Sequence, residues 1–294
     1  MVLQGGVSEE KEVSDLTAES CIEALEKASF DVEALSLDAR NINELAELVK
    51  SKNPDVIFNA LHGGAGEDGS IQGIFETLKI PYTHSGVLSS AIAMDKFISK
   101  KLFKASGLPV IDDLLLNSRD QLKRIPLIPP FVIKPNNGGS SVGVHFIRYK
   151  EEIEDVGEFN THLDRRYILE KYIPGRELTV AVLNGRPLTV TDIVTEDWYD
   201  YDAKYISNNT GLIEANLTSE EHSAINVVAF NAYKALNCRG WARIDILQDI
   251  KGQFHVLEIN TVPGMTSHSC VPKSGSFLGL EYEEVVQNII NAKL

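Results

Sequence analysis

Two stretches late in the chain decide its fold and much of its chemistry: Gly240-Trp-Ala-Arg-Ile-Asp245 and Val256-Leu-Glu-Ile-Asn-Thr-Val-Pro-Gly-Met265. Alternate residues of a strand share a face, so the two stretches, paired as a hairpin, bring Asp245, Glu258 and Asn260 to one side. Three oxygen-bearing side chains with no His or Cys among them favour Mg²⁺, which prefers oxygen and usually also holds substrate phosphates. The pattern therefore predicts a magnesium site on one face of a hairpin.

Arg243 points the same way and can stabilise developing negative charge. The alternative is an amphipathic hairpin with one wet, charged face. The apolar neighbours favour the magnesium site over this alternative, because they mark a buried opposite face of the hairpin. A Pro-Gly turn follows directly. These neighbours are Ile244, Ile246, Leu257 and Ile259.

Bulk properties place the chain among globular proteins and exclude several function classes. It has 294 residues, 43% hydrophobic and 24% charged, which is enough for two or three subdomains. Its net charge of −14 argues against nonspecific binding to nucleic acid or anionic membranes. The three cysteines are odd in number and widely spaced, which argues against a disulfide framework. Neither a membrane span nor a signal peptide is expected, and we predict a cytoplasmic protein.

The first 60 residues alternate strand and helix patterns, which predicts a parallel sheet with ligand-bearing loops at the carboxyl ends of its strands. The predicted strands are 1–3, 32–37 and 55–60, and the predicted helices are 15–29 and 42–51. The first strand is short, which fits either a start assigned a few residues late or a natural trim.

Glycine-rich loops and further strands follow this unit. A glycine-dense loop at 61–69 precedes a helix at 71–78, and a longer helix is predicted over 89–106. Later strands are predicted at 130–134, 144–148 and 167–173, followed by a mainly antiparallel region from 177 onwards.

One loop has the composition of a phosphate site. Lys134 ends a strand and is followed by Asn137-Gly-Gly-Ser-Ser-Val-Gly143. Glycines let backbone N–H groups approach phosphate oxygens, and the lysine adds a point charge. The G-K-[ST] order of a Walker loop is missing, so the alternative is a flexible hairpin loop.

Glu170-Lys-Tyr-Ile173 with Glu177 could hold an adenine and a ribose, or be a plain strand and turn.

Together these motifs resemble the D-alanine–D-alanine ligase family of the ATP-grasp superfamily, and the resemblance covers essentially the whole chain. The matching motifs occur in family order at residues 5–14, 62–69, 94–96, 134–143, 201–205, 240–245 and 258–269. The resemblance implies an α/β fold of the α+β ATP-grasp type. An N-terminal parallel-sheet domain (1–85) would precede a central subdomain (86–172) and a C-terminal catalytic subdomain (173–294), the last two with mainly antiparallel sheets.

The resemblance also implies roles for individual residues. Asp245, Glu258 and Asn260 would hold two Mg²⁺ ions, with Mn²⁺ as a substitute, on the phosphates of ATP. Phosphate contacts are expected from Lys96, Lys134 and Lys204, and adenosine contacts from Glu170, Lys171, Ile173 and Glu177.

For the substrates, Glu10 would receive the ammonium of the first D-alanine, with His62 close by. Arg243 and the N–H of Gly264 would form the oxyanion site. Ser269 would take the carboxylate of the second D-alanine, whose pocket Cys270 would line. Ser140 and Tyr205 would hydrogen-bond with Glu10 and clamp a lid that contains Tyr199, Tyr201, Lys204 and Tyr205.

Each position has a plain structural alternative. Glu10 could face solvent or help start the following helix, His62 could be a satisfied buried histidine, and Ser269 could be a loop or capping residue. Cys270 invites a nucleophile interpretation, but no base partner is evident. Cys21 and Cys238 are expected in the core.

The implied activity is ATP-dependent ligation of two D-alanines through a D-alanyl phosphate, for peptidoglycan synthesis, by a homodimer. Rival hypotheses are a ligase for D-lactate or D-serine, against whose lactate type Tyr205 speaks, and an ATP-grasp ligase for other substrates. A third, from a different class, is a nucleotide-binding regulator without catalysis. Retention of the metal ligands and Arg243 weighs against it, because a binding module needs no oxyanion donor.

Overall fold

The computed structural model describes residues 1–125, 128–139, 143–156, 166–194 and 211–294, which form three sheets. The strands are β1 (Val2–Gly5), β2 (Ala34–Leu37), β3 (Phe58–Asn59), β4 (Asp113–Leu116), β5 (Phe131–Pro135), β6 (His145–Ile147), β7 (Tyr167–Lys171), β8 (Gly175–Leu183), β9 (Arg186–Pro187), β10 (Thr191–Val194), β11 (Gly211–Glu214), β12 (Trp241–Asp249) and β13 (Phe254–Asn260). The α-helices are α1 (Lys11–Lys27), α2 (Leu45–Lys52), α3 (Ser70–Leu78), α4 (Val87–Met94), α5 (Lys96–Ala105), α6 (Ser219–Ala235), α7 (Cys270–Phe277) and α8 (Tyr282–Asn291). Short 3-10 turns cover Ile42–Glu44, Gly64–Gly66, Arg119–Arg124 and Lys150–Asp155. Within these ranges no helix is both long enough and apolar enough to span a membrane.

The N-terminal sheet confirms the predicted alternation of strand and helix. Its order is β2-β1-β3, and both pairings are parallel. Helix α1 begins at Lys11, four residues before the predicted start, so that Glu10 occupies the position just before the first turn. The loops that follow β1 and β3 therefore leave the same edge of the sheet, as expected for ligand-bearing loops.

The single helix predicted over 89–106 is wrong, because two helices meet there at Asp95. This residue has an extended backbone (φ −94°, ψ 98°), and its carboxylate accepts a hydrogen bond of 2.9 Å from the N–H of Ile98. Asp95 thus caps α5, which a continuous apolar periodicity does not reveal. Asn136 contacts the same helix start, because its backbone oxygen and Oδ1 accept from the N–H groups of Lys96 and Phe97. The start of α5 is therefore fixed to the loop that follows β5.

The second sheet is antiparallel and has the order β4-β7-β5-β6. One face is buried in a small core together with residues of the 3-10 turns. Strand β7 carries Glu170 next to Val132 of β5, so the opposite face presents polar groups.

The third sheet is the largest and has the order β11-β10-β8-β12-β13, with β9 added on β8. All its pairings are antiparallel, as predicted for this region. Helix α6 and alternate residues of β8 and β12, such as Val180 and Ile244, form one buried core. On the other face Trp241 is fully buried, and Arg243, Asp245 and Leu247 follow it along the same side of β12, with Arg243 and Leu247 only partly buried.

Trp241 belongs to a core that the N-terminal sheet and the C-terminal helices share. Its ring lies 6.0 Å from that of Phe58, between centroids. Buried residues of α1 pack in this core with buried residues of α8, among them Cys21 and Val285. The N-terminal sheet covers one end of the β12 face, and the uncovered end becomes a cleft. Cys21, Cys238 and Cys270 all lie in described ranges, and each is a buried thiol outside any disulfide.

The segment that joins the N-terminal sheet to α4 is held by buried polar contacts. The side-chain amide of Asn59 accepts from the N–H of Leu61 through Oδ1 and donates to Nε2 of His84 over 2.8 Å. Nδ1 of His84 therefore carries the proton that faces the backbone oxygen of Ser85, 3.1 Å away. Burial lowers the pKa of His84 to about 3, so the ring is neutral.

We predict that acid destabilises the protein partly through His84. The unfolded histidine binds a proton below about pH 6.5, while the buried ring resists protonation until about pH 3, so stability is complete above pH 6.5 and falls as the pH is lowered. Each such histidine contributes a slope of at most about 1.4 kcal/mol per pH unit. Urea unfolding between pH 7.5 and 5 measures it.

His84→Gln keeps an acceptor for Asn59 but cannot titrate, so it should flatten the slope. His222→Gln, at an exposed position of α6, is the matched control and should leave the slope unchanged. Equal slopes in the wild type and His84→Gln would contradict the prediction.

Candidate active site

Strands β12 and β13 bring the predicted acidic residues together. Asp245 lies directly opposite Glu258, and Arg243 lies opposite Asn260. Opposed residues of an antiparallel pair share a face, so the predicted one-sided arrangement is confirmed. The hydroxyl of Thr179, on the neighbouring strand β8, donates a hydrogen bond of 2.8 Å to Oδ1 of Asp245.

A β-bulge just beyond this pair changes the alternation. The register shifts between Asp245 and Ile246, so that Val256 is opposite Ile246 and Leu257 has no partner of its own. Both Leu257 and Glu258 consequently line the cleft. The expectation that Leu257 belongs to the buried face is wrong, because a bulge places an extra residue on the strand and re-aims its side chain.

The cleft lies between the second and third sheets and has a volume of about 550 Å³. This volume is in the range of small-molecule and cofactor sites. Its walls combine an apolar part with charged groups at one end. The apolar residues include Ile111, Val132, Val144, Ile193, Leu247 and Leu257. The predicted nucleotide residues Lys96, Lys134, Glu170, Lys171, Ile173 and Glu177 all line it, together with Asp245 and Glu258.

Glu170 is buried in the cleft wall between two lysines. Its Oε2 lies 2.8 Å from Nζ of Lys134, and its Oε1 pairs with Nζ of Lys100. Burial alone would raise the pKa of Glu170, but the two ammonium groups outweigh it and hold the pKa below its usual value. Lys100 is fully buried, and burial lowers its own pKa. Lys100 was missed as a site residue, although it lies four residues after Lys96 on the same helix face.

Lys96 lies where the cleft meets a second, smaller cavity. Its Nζ is 3.0 Å from Oε2 of Glu258 and donates to the backbone oxygen of Gly138 over 2.5 Å. Lys96, Glu258 and Gly138 line both cavities, so the two are adjoining parts of one site. The smaller cavity is also lined by Glu10, Glu67, Arg243 and Asn260.

The oxygen donors fit a divalent cation of the Mg²⁺ type. Arg243 makes a bidentate contact with Asp245, through Nε at 2.9 Å and Nη2 at 2.8 Å, and Lys96 neutralises Glu258. Two opposed carboxylates thus already require positive charge. The third donor that the sequence predicts is the amide oxygen of Asn260, which accepts from the N–H of Val262 over 2.9 Å, and its role as a ligand stays a prediction.

Glu10 points into the smaller cavity. A Cβ atom on Gly63 would lie 2.6 Å from Oε2 of Glu10, and one on Gly139 would lie 3.2 Å from it. The carboxylate therefore lies between the loop that follows β3 and the loop that follows β5, in close contact with a glycine of each. The Glu10 side chain makes no capping hydrogen bond to α1, which disfavours the helix-start alternative.

His62, Gly264 and Ser269 converge beside this cavity. A Cβ on Gly264 would lie 3.1 Å from Oγ of Ser269 and 3.8 Å from Nε2 of His62. Ser269 also accepts from the N–H of Thr266, so part of its role is to shape the loop. Cys270 is buried in the first turn of α7 and is not among the residues that line either cavity, so its predicted place in the pocket of the second substrate stays a prediction.

Glu67 is a second residue that sequence reasoning missed. Burial, reinforced by the charge of Glu10, raises the pKa of Glu67 to about 8. Its Oε1 accepts from the N–H of Gly63 over 3.0 Å and faces Nδ1 of His62 at 3.7 Å. The available signal was its place in the glycine-dense loop directly after β3. The predicted residues Ser140, Lys204 and Tyr205, and the lid around them, lie outside the described residues.

Two kinds of comparison with known proteins agree with this geometry. The family model described as D-ala D-ala ligase C-terminus matches residues 102–291, and the one described as D-ala D-ala ligase N-terminus matches residues 38–85. A D-alanine–D-alanine ligase of Cereibacter sphaeroides is 43% identical over 288 residues, which cover 96% of this chain and 92% of that protein. One from Haemophilus influenzae is 39% identical and covers 100% of both.

Solved structures give the same result. The D-alanine–D-alanine ligase of Bacillus anthracis, in complex with ATP, has a TM-score of 0.84 and 34% identity, covering 99% of this chain and 96% of that one. The VanG D-Ala:D-Ser ligase of Enterococcus faecalis has a TM-score of 0.83 and 29% identity, covering 100% and 98%.

A parallel N-terminal sheet, followed by two antiparallel sheets that enclose a nucleotide-sized cleft, defines an ATP-grasp enzyme. The match extends over both family models and the full length of the relatives. The chain belongs to the D-alanine–D-alanine ligase family.

We predict that Glu170→Ala destabilises the protein by about 3–5 kcal/mol, because it leaves two lysines in the cleft wall without their carboxylate. Lys100→Met should cost less, since Lys134 still neutralises Glu170. Urea unfolding measures both. Glu214→Ala, at an exposed position of β11, is the matched control and should change stability by no more than about 0.5 kcal/mol. A Glu170→Ala variant as stable as this control would refute the proposed burial of the charge cluster.

Proposed function

We propose that this chain joins two D-alanines to D-alanyl-D-alanine, using ATP and releasing ADP and phosphate, as a step in peptidoglycan precursor synthesis. The observation that carries the proposal is the continuity of the two cavities. A nucleotide-sized cleft ends at Lys96 and Glu258, and the smaller cavity that adjoins it there is lined by Glu10 and Arg243.

The first half-reaction needs charge neutralisation at the transferring phosphoryl group. We assign Lys96 and Lys134 to the phosphates, because both ammonium groups lie at the polar end of the cleft. A carboxylate oxygen of the first D-alanine forms a bond to the γ-phosphorus while the bond to ADP breaks. Asp245, Glu258 and Asn260 would hold Mg²⁺, or Mn²⁺ in its place, which would supply additional positive charge to the phosphates.

The substrate ammonium needs a negative partner. Glu10 fits this role because its carboxylate lies between Gly63 and Gly139, against the loop that follows Lys134. An ammonium bound there would allow the substrate carboxylate to face the junction of the two cavities at Lys96 and Glu258. On the same resemblance we assign Ser140 and Tyr205 to the clamp that hydrogen-bonds with Glu10. We assign Lys204 to the phosphates of ATP.

The second half-reaction needs an oxyanion site. The amine of the second D-alanine attacks the acyl carbon, negative charge develops on the carbonyl oxygen, and phosphate leaves as the amine loses a proton. Arg243 and the N–H of Gly264 are the proposed donors. Ser269, whose hydroxyl lies near Gly264, is assigned to the carboxylate of the second substrate, and Lys171, Ile173 and Glu177 to the adenosine.

The wider assignments rest on the same likeness. We propose three units at 1–85, 86–172 and 173–294, and the grouping of β1–β3, β4–β7 and β8–β13 into separate sheets supports them. A homodimer that works in the cytoplasm is the expected form. A D-serine acceptor stays the nearest rival, because a D-Ala:D-Ser ligase shares the fold.

Phosphate release from Mg·ATP tests the activity. With D-alanine alone the purified protein should release phosphate and form the dipeptide, identified by mass spectrometry. Phosphate release that requires added D-serine or D-lactate would identify a ligase with a different second substrate. ATP binding without phosphate release would favour the hypothesis of a nucleotide-binding regulator.

We predict that Arg243→Ala lowers kcat for the dipeptide about 100–1000-fold, because an oxyanion donor is lost. Arg186→Ala, at an exposed position of β9, is the matched control and should retain the wild-type rate. An Arg243→Ala variant that ligates at the wild-type rate would rule out the assigned role.

A further inference from the structure

Thr17 of α1 is fully buried, and its hydroxyl contacts both His62 and the loop that carries Gly264. Its Oγ1 lies 3.1 Å from Nε2 of His62 and accepts from the backbone N–H of Met265 over 3.3 Å. We propose that Thr17 is a positioning residue that fixes the tautomer of His62 and ties this ring to the loop that carries Gly264. The catalytic part of the proposal rests on the function proposed above.

The tautomer follows from the donors and acceptors at Oγ1. One lone pair of Oγ1 is used by the N–H of Met265, so the hydroxyl proton is available for a second bond. If it donates to Nε2 of His62, every group in the contact has a partner. The opposite arrangement would use both lone pairs of Oγ1 for N–H donors and leave the Thr17 proton without an acceptor among the described residues.

The other ring nitrogen agrees with this assignment. Burial lowers the pKa of His62 to about 4, so the ring is neutral and carries a single proton. With Nε2 as the acceptor, that proton is on Nδ1, which makes no hydrogen bond within the described residues but faces Oε1 of Glu67 at 3.7 Å, close enough for an electrostatic attraction. Oε1 accepts from the N–H of Gly63, so it remains an acceptor even when Glu67 is protonated on its other oxygen. A bare nitrogen lone pair facing Oε1 would be repelled.

The Met265 peptide is held from a second helix as well. The hydroxyl of Tyr282, at the start of α8, donates to the backbone oxygen of Met265. Both polar groups of a fully buried residue are thus satisfied by side chains from α1 and α8. The residue before it is Gly264, so the direction of the Gly264 N–H depends on a loop that these hydroxyls hold.

Thr17 therefore links two parts of the proposed mechanism that come from opposite ends of the chain. His62 would lie beside the first D-alanine, and the Gly264 N–H would meet the oxyanion. A shared hydroxyl keeps their spacing fixed, which matters because a displacement of about 1 Å can cost on the order of 100-fold in rate.

Nitrogen-15 NMR of histidine-labelled protein tests the tautomer directly, without substrate or metal. The His62 signals are assigned by their absence in His62→Gln. In the wild type we expect a protonated Nδ1 and an unprotonated Nε2 at pH 7. A protonated Nε2 in the wild type would overturn the proposal, whatever the activity of the protein.

Variants of Thr17 test the linkage. Thr17→Ser keeps the hydroxyl and should retain the tautomer, whereas Thr17→Val keeps the shape and should lose the preference. Tyr282→Phe is the matched control, because it loosens the same loop but leaves the contact of Thr17 with His62 in place. It should keep the wild-type tautomer. A Thr17→Val spectrum identical to the wild type would overturn the proposal.

Kinetics separate this proposal from the proposed function. Thr17→Val should lower kcat about 10-fold or more with an unchanged KM for ATP, and Thr17→Ser should restore the rate. An unchanged kcat in Thr17→Val would overturn the catalytic role. If the wild type shows the expected tautomer but no D-alanine-dependent phosphate release, the proposed function fails and the hydrogen-bond assignment stands.

Discussion

Two carboxylates facing each other across an antiparallel strand pair are the constraint on which the rest of the site depends. Like charges in directly opposed positions destabilise a sheet, so Asp245 and Glu258 can be retained only with positive charge close by. Arg243 supplies it from the same strand. Lys96 supplies it from α5, whose start is held by Asn136 of the loop that follows β5. The position of this helix and the geometry of the loop are thus tied to one electrostatic requirement.

Most of the architecture could be predicted from periodicity. The order of strands and helices gave the parallel sheet, and two-residue spacing put Asp245, Glu258 and Asn260 on one face. Periodicity failed where a single residue interrupts it. Asp95 divides one apolar helical pattern into two helices by adopting an extended backbone. The bulge at Leu257 turns an expected core residue towards the cleft. Both interruptions lie next to the site, where local rules give way to tertiary contacts.

The part of the site that was not predicted consists of residues whose contacts are with other side chains or with the backbone. Lys100 touches Glu170, Glu67 faces His62, and Thr17 joins His62 to Met265. Such contacts join residues far apart in sequence, and no spacing rule connects Thr17 with Met265. Motifs identify groups that meet a ligand, because their chemistry is recognisable in isolation. A buried threonine on a helix has no such mark until its neighbours are known.

The core shared by α1 and α8 has a consequence for synthesis on the ribosome. Domains generally fold as units during synthesis, the N-terminal one first. Here the apolar side of α1, with Ala18 and Cys21, packs against Val285 and Ile289, which are made near the end of translation. The N-terminal sheet and α1 are therefore synthesised before the C-terminal helix α8 that packs against them. A nascent chain therefore exposes an apolar surface until α8 has left the exit tunnel, and this interval is when chaperone binding would matter most.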